Sequence, residues 1–294
     1  MIGYLKTTIL MAGLTSLVGG LGYLVAGQNG LMFALVAAGG MNLWAWYNSD
    51  RAVLSHYGAR EVSLEDSPKL VSLIHQLADN AGLPHPKVFV IDNPQPNAFA
   101  TGRNPDHAAV AITTGLIQRL DTDEIAGVMA HELAHIKHRD TLIMTVTATL
   151  AGALSMLANF AFFFGGARDR QVSPIVTILV MVLAPLAASI VQMAISRSRE
   201  YEADRLGAEI SGKPRSLATA LEKISDMAGQ IVNRQAETNP ASAHLFIINP
   251  LHVHAIDGLF STHPSTESRI RRLLEIERAM GGRGMAAISR NPWS

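Results

Sequence analysis

The sequence predicts an α-helical membrane protein of four spans, carrying on one side of the bilayer a mainly helical α+β domain with a small β-sheet. Three observations lead there. Four apolar runs of near-bilayer length occur in two pairs, with no charged residue inside any of them. Charged residues make up only 16% of the chain and hydrophobic ones 48%, against about a quarter charged in soluble domains. The polar remainder mixes helical periodicity with short β-type runs.

The runs are Thr7–Ala26, Leu31–Tyr47, Thr141–Gly165 and Pro174–Ile195. Only the polar Gly27–Gly30 turn separates the first two, so they form a hairpin. Buried core helices are the alternative reading of all four, and a cleaved signal peptide with Lys6 as its basic flank is an alternative for the first. A long apolar core, no clear small-x-small cleavage site and an immediate second span favour a retained anchor. Lys6, Arg51, Lys137, Arg139, Arg197 and Arg199 flank the runs on one side, which the positive-inside rule assigns to the cytoplasm. Arg168 and Arg170 stand opposite, with Asp169 between them. The expected organisation is a transmembrane hairpin at 1–50, a first part of the polar domain at 51–140, a second hairpin at 141–195 and a second part at 196–294.

Within the polar parts, Ser67-Pro68 reads as an N-cap and first helical position, opening a helix to Ala81. Lys87–Ile91 reads as a strand, and Ala98–Thr101 with Ala108–Thr113 as a hairpin-like pair around Gly102–Asp106. Asp121 and Glu124 form a capping-box start for the next helix. Later helices are expected near Arg199–Ile210, Pro214–Met227 and Ser265–Met280, with Asn233–Thr262 irregular.

Net charge is zero and no basic stripe stands out, which argues against nucleic acid as a partner. There are no cysteines, so any metal must be held by histidine and carboxylate. His131 and His135 are spaced to project from one helix face, suiting two adjacent corners of a zinc tetrahedron. Glu132 sits beside them, placed to take a proton from water that the metal has acidified and to pass one to a leaving amine. This is the H-E-x-x-H arrangement of zinc metalloproteases; a surface helix with solvated His and Glu is the plain alternative. The extended pattern with a third histidine is missing, since residue 141 is threonine. A separate helix must therefore supply the third ligand. In Arg199-Glu200-Tyr201-Glu202-Ala203-Asp204, Glu200 and Asp204 share a face. Glu200 can ligate, and Asp204 can hold a ligand histidine by its distal N–H. An ordinary charged juxtamembrane helix would look similar, and spacing alone also admits His138 as a competing ligand.

Four separated motifs, NAFATG (97–102), HELAH (131–135), REYEADRLGA (199–208) and FSTHPSTESRI (260–270), occur in the order seen in HtpX-type membrane zinc metalloproteases, and the chain resembles that family over nearly its whole length. The family comprises heat-shock-linked proteases of bacterial inner membranes, similar in catalytic layout to the CAAX-processing Ste24 proteases. The resemblance implies a zincin-like domain holding one Zn2+ per chain through His131, His135 and Glu200, with Glu132 as general base. The family's acid four past the ligand falls on Asp204. Where members often carry Asn this chain has His138, which implies a polar role beside the metal or facing substrate. Asn97, Ala98, Phe99, Ala100 and Thr101 look like the strand that takes an extended peptide at a sheet edge. His263 falls where related proteases stabilise the oxyanion, and Arg269 is expected to tie the last helix to an acid such as Asp204. Protein or peptide substrates, membrane proteins among them, and a functional link to other membrane quality-control proteases are likewise implied. A membrane zinc carrier would place ionisable residues inside the spans, and an inactive scaffold would lack Glu132; neither fits.

Overall fold

The computed structural model describes residues 2–150, 197–228, 230–251 and 264–288. Its N-terminal helical run, α1 (Ile2–His56), is not one rod. A straight helix would separate Met11 from Asn42 by ~46 Å at ~1.5 Å per residue. Yet Asn42 Nδ2 donates to the Met11 carbonyl at 3.1 Å and to Thr15 Oγ1 at 2.7 Å. The chain reverses at Gly27, whose φ of 60° costs glycine nothing, at the start of the expected turn. Gly27–His56 is long and apolar enough to cross a membrane; the apolar stretch of the first arm, Thr7–Gly20, is shorter. Phe33, Val36, Leu43 and Trp44 point outward from the longer arm.

The helix continues beyond the apolar run that ends at Tyr47, to His56, and Val53, Leu54 and Tyr57 enter a core with Phe99 and Phe246. Helix α5 (Thr141–Leu150) opens the third apolar run. The rest of that run and all of Pro174–Ile195 lie outside the described residues.

Four strands form one sheet: β1 (Arg60–Glu61), β2 (Lys87–Ile91), β3 (Ala98–Gly102) and β4 (Ala108–Thr113), in the order β1-β2-β4-β3. β2 and β4 are parallel, while β3 pairs antiparallel with β4 from Ala98↔Ile112 to Gly102↔Ala108. β3 is therefore an edge. The sheet is covered on both faces, and strand periodicity sorts its residues between them. Val88, Ala98, Ala100, Val110 and Ile112 face the main helical core, whereas Ile91, Phe99, Ala109 and Ala111 face α1 and α5.

On the helical side lie α2 (Pro68–Ala81), α4 (Thr122–His138), α6 (Arg197–Ser211), α7 (Pro214–Ala228) and α9 (Thr266–Ile288), with α3 (Thr114–Arg119) bridging β4 to α4. Ser67 occupies the N-cap position of α2 but makes no side-chain cap bond; Pro68, which has no N–H, already removes one orphan donor. The Asp121–Glu124 capping box of α4 forms in full. Two pieces of the stretch expected to be irregular are ordered, α8 (Arg234–Thr238) and a 3-10 turn at Pro240–Leu245. Asn233, read from sequence as a loop residue, starts α8 by accepting the Ala236 N–H.

α4 ends on Arg139, the one non-glycine residue with positive φ (60°) among those described. Its N–H bonds the Ile136 carbonyl and the Asp140 N–H bonds the His135 carbonyl, a Schellman closure that ordinarily takes glycine. Arg139→Gly is expected to raise stability by about 1 kcal/mol, and Arg139→Val to lower it by at least about as much. Thermal unfolding of the detergent-solubilised chain checks both signs.

Candidate active site

α4 is buried on every side from Glu124 to Ile136. The sheet lies beneath it, and α2, α6 and α7 pack around it. Polar side chains this deep persist only with partners; besides Glu124 of the capping box, the helix carries His131, Glu132 and His135, at 0%, 2% and 4% exposure.

Helix α6 brings the rest. A Cβ on Gly207 would stand 2.9 Å from both Cα and N of His131, so the two backbones touch where the first histidine projects. Likewise, a Cβ on Gly127 would lie 2.9 Å from the Leu217 nitrogen of α7. This crossing carries Glu200 and Asp204 over the α4 histidines. The nitrogens His131 Nε2 and His135 Nε2 are 3.2 Å apart, and Glu200 oxygens lie 3.8 Å from the first and 3.6 Å from the second. Ligands on a tetrahedral ion with bonds of ~2.0–2.2 Å stand about 3.3–3.5 Å from each other. The three donors form the metal-binding cluster found among the described residues.

Each histidine is backed by an aspartate and each aspartate by an arginine. His131 Nδ1 lies 3.0 Å from Asp204 Oδ1, and Arg269 grips Asp204 with Nε (2.8 Å) and Nη2 (2.7 Å). Arg269 is fully buried, and its Nη1 donates to the Ile247 carbonyl at 2.8 Å. His135 Nδ1 lies 3.5 Å from Asp140 Oδ2, and Arg199 Nη1 donates to Asp140 Oδ1 at 3.1 Å. Both Nε2 atoms are left facing Glu200.

The charges explain the protonation pattern. Four carboxylates (Glu132, Asp140, Glu200 and Asp204) face two guanidiniums (Arg199 and Arg269). Four minus two leaves an excess of two negative charges when the imidazoles are neutral, the charge a divalent cation carries. The excess draws protons. Burial pushes the Glu132 carboxyl up to about 7, with Glu200 adding to the rise. Burial opposes charge on His135, yet Asp140, Glu200 and Glu132 outweigh it and raise the ring to about 9. Burial wins at His131, held near 4. At Asp204 burial loses to Arg269 and His131, which keep it ionised. Two imidazoles, one carboxylate and this charge balance suit Zn2+.

Residues 65–277 match the profile of Peptidase family M48. The chain belongs to peptidase family M48. The HtpX-type and Ste24 proteases its motifs resemble fall within that family. The matched region of the M48 chain holds both α4 and α6 and ends inside α9. The fold is similar to the crystal structure of S. mikatae Ste24p, with TM-score 0.50 at 20% identity over 93% of this chain. The chain spans 65% of the length of that structure.

The sequence-expected residues fall as follows in this M48 domain. His131, His135 and Glu200 converge, with Glu132 among them and its carboxylate accepting the Ala100 N–H. Asp204 and Arg269 pair behind His131. His138 does not join them: it is exposed, on the side of Glu202, because it is the last residue of α4 and is rotated off the buried face. His263 lies outside the described residues. Asn97 to Thr101 are all buried at the sheet edge. Asn97 is engaged internally, its Nδ2 donating to the Ile248 carbonyl and its N–H to Thr113 Oγ1. Along the edge, the Ala98 carbonyl accepts the Ile247 N–H, so the chain itself covers that half.

Two site residues were missed, Asp140 and Arg199. An aspartate just past a helix end, and an arginine just before a ligand, look from sequence like membrane-flanking charge. Arg205 does behave that way, pairing with Glu202 and Glu209 at the surface.

Gly207→Ala should force α6 off α4. We expect a loss of about 1–3 kcal/mol, read by thermal unfolding, together with weaker zinc binding in competition with a chelator. Alanine at the exposed α6 position Glu209 should change neither by much.

Proposed function

We propose that the chain is an integral-membrane zinc endopeptidase that hydrolyses peptide bonds of misfolded or damaged membrane proteins at the cytoplasmic face of the bacterial inner membrane, as part of a stress response. The observation that carries the hydrolytic reading is the convergence of His131, His135 and Glu200 around a buried Glu132. The membrane reading rests on the α1 hairpin with its apolar outer surface and on the four uncharged runs. The cytoplasmic assignment rests on the basic flanks, and the quality-control role on resemblance to the HtpX-type proteases.

Bound zinc supplies the Lewis acidity that polarises a scissile carbonyl and brings water within reach of a carboxylate base. The protein does the rest. His131 and His135 present Nε2 toward Glu200, which completes the cluster. Glu132, fixed by the Ala100 N–H, accepts the proton of the attacking water and delivers it to the departing amine. An extended peptide lies along the outer edge of β3 beside Ala100–Gly102, where main-chain bonds give affinity without sequence demand.

Purified in detergent without metal and then loaded with zinc, the chain should cleave casein or itself, and chelation should stop it. Glu132→Gln should keep zinc and fold but lose about 10²–10⁴-fold in rate. Equal cleavage by the variant contradicts the mechanism.

A further inference from the structure

No step of the hydrolysis above is assigned to Asp140 or Arg199, and their placement is unusual. They are 59 positions apart, at the two ends of the second apolar excursion, and meet in an ion pair of 3.1 Å. Asp140 is buried at 6% exposure, and Arg199 directly precedes Glu200 in α6. Left-handed Arg139 turns Asp140 back on its own helix, so that its backbone N–H bonds the His135 carbonyl while its carboxylate faces the His135 ring. Backbone strain of this kind is kept where something depends on it.

We propose that Asp140, clamped by Arg199, is a positioning residue for His135. It fixes the Nδ1–H tautomer so that Nε2 faces the metal, and the clamp locks the start of the Glu200 helix to the end of the histidine helix. Among the described residues, the ring's hydrogen-bond and ion-pair partners other than Asp140, namely His131 and Glu200, both lie on the Nε2 side, so Asp140 alone holds Nδ1. The arrangement repeats for His135 what Asp204 and Arg269 do for His131, using charges from the opposite end of the site. The two clamps differ in one respect. The Asp204–Arg269 pair joins α6 to α9, while the Asp140–Arg199 pair joins the end of α4 to the start of α6, on either side of the third and fourth apolar runs. Zinc affinity is thereby tied to how those ends are held.

This inference rests on the metal-site reading, so the test uses a readout that separates the two. Zinc affinity of the full chain in detergent is measured by competition with a chromogenic chelator, and the visible spectrum of the cobalt(II)-substituted protein reports ligand geometry. Asp140→Ala should weaken zinc about 10–100-fold and alter the cobalt bands. Asp140→Asn, whose amide oxygen still accepts from Nδ1, should fall between. Arg199→Gln should weaken zinc while Arg205→Gln, at a surface arginine of the same helix, leaves it unchanged. If Asp140→Ala does not fold, Asp140→Asn and Arg199→Gln decide. Lower thermal stability with wild-type affinity and a wild-type cobalt spectrum makes the pair merely structural and overturns the proposal. His135→Ala is the reference: wild-type affinity there would bring down the metal site itself, and this proposal with it.

Discussion

The contact on which the site depends is between two backbones. Gly207 of α6 lies against His131 of α4 with no room for a methyl group. That single approach sets where Asp204 and Glu200 stand relative to the histidines, one turn and two turns back along α6. Helices with ordinary side chains between them pack 8–10 Å apart; a glycine at the crossing permits the shorter reach that a carboxylate ligand needs. Both helices also border the apolar excursion, α4 leading into it and α6 out of it. The metal site is thus assembled across the gap between two chain segments rather than within one.

A second constraint follows from depth. The cluster is buried to within a few per cent, where isolated charge is costly, yet it concentrates four carboxylates against two guanidiniums. Burial raises Glu132, and the surrounding carboxylates raise His135 against its own burial. Zinc would restore neutrality and free Glu132 to work as a base. The sheet makes this depth possible. Small residues alternate along β4 (Ala108, Ala109 and Ala111), letting α4 close on one face and α1 with α5 on the other. On the α5 side, Thr101 of the edge strand is 3.0 Å from Thr145, so that edge is braced by an apolar helix.

Much of this was legible in the sequence. Helix α4 announced itself by its capping box and by H-E-x-x-H, and β2 and β4 by β-branched runs between turn residues. Glu200 and Asp204 were found because i, i+4 spacing is a local rule that survives folding. The reversal in α1 was marked by Gly27. What escaped needed three dimensions. Nothing local distinguishes Arg199, which turns inward to Asp140, from Arg205, which stays at the surface. His138 shares a periodic face with His135 on paper, but sits where the helix is already ending. Asn233 looked like loop composition because capping is a single hydrogen bond, invisible until its partner is placed. Helix α1 passes through the charged Asp50 and Arg51, beyond the apolar run that ends at Tyr47.

The central claim is that two histidines of one helix and one carboxylate of another hold a single zinc ion. X-ray absorption spectroscopy on the zinc-loaded full chain addresses it directly. The account predicts one zinc per chain, with two imidazoles in the coordination shell and oxygen ligands at ~2.0–2.2 Å. A shell with three imidazoles, or zinc that does not load stoichiometrically, would contradict it.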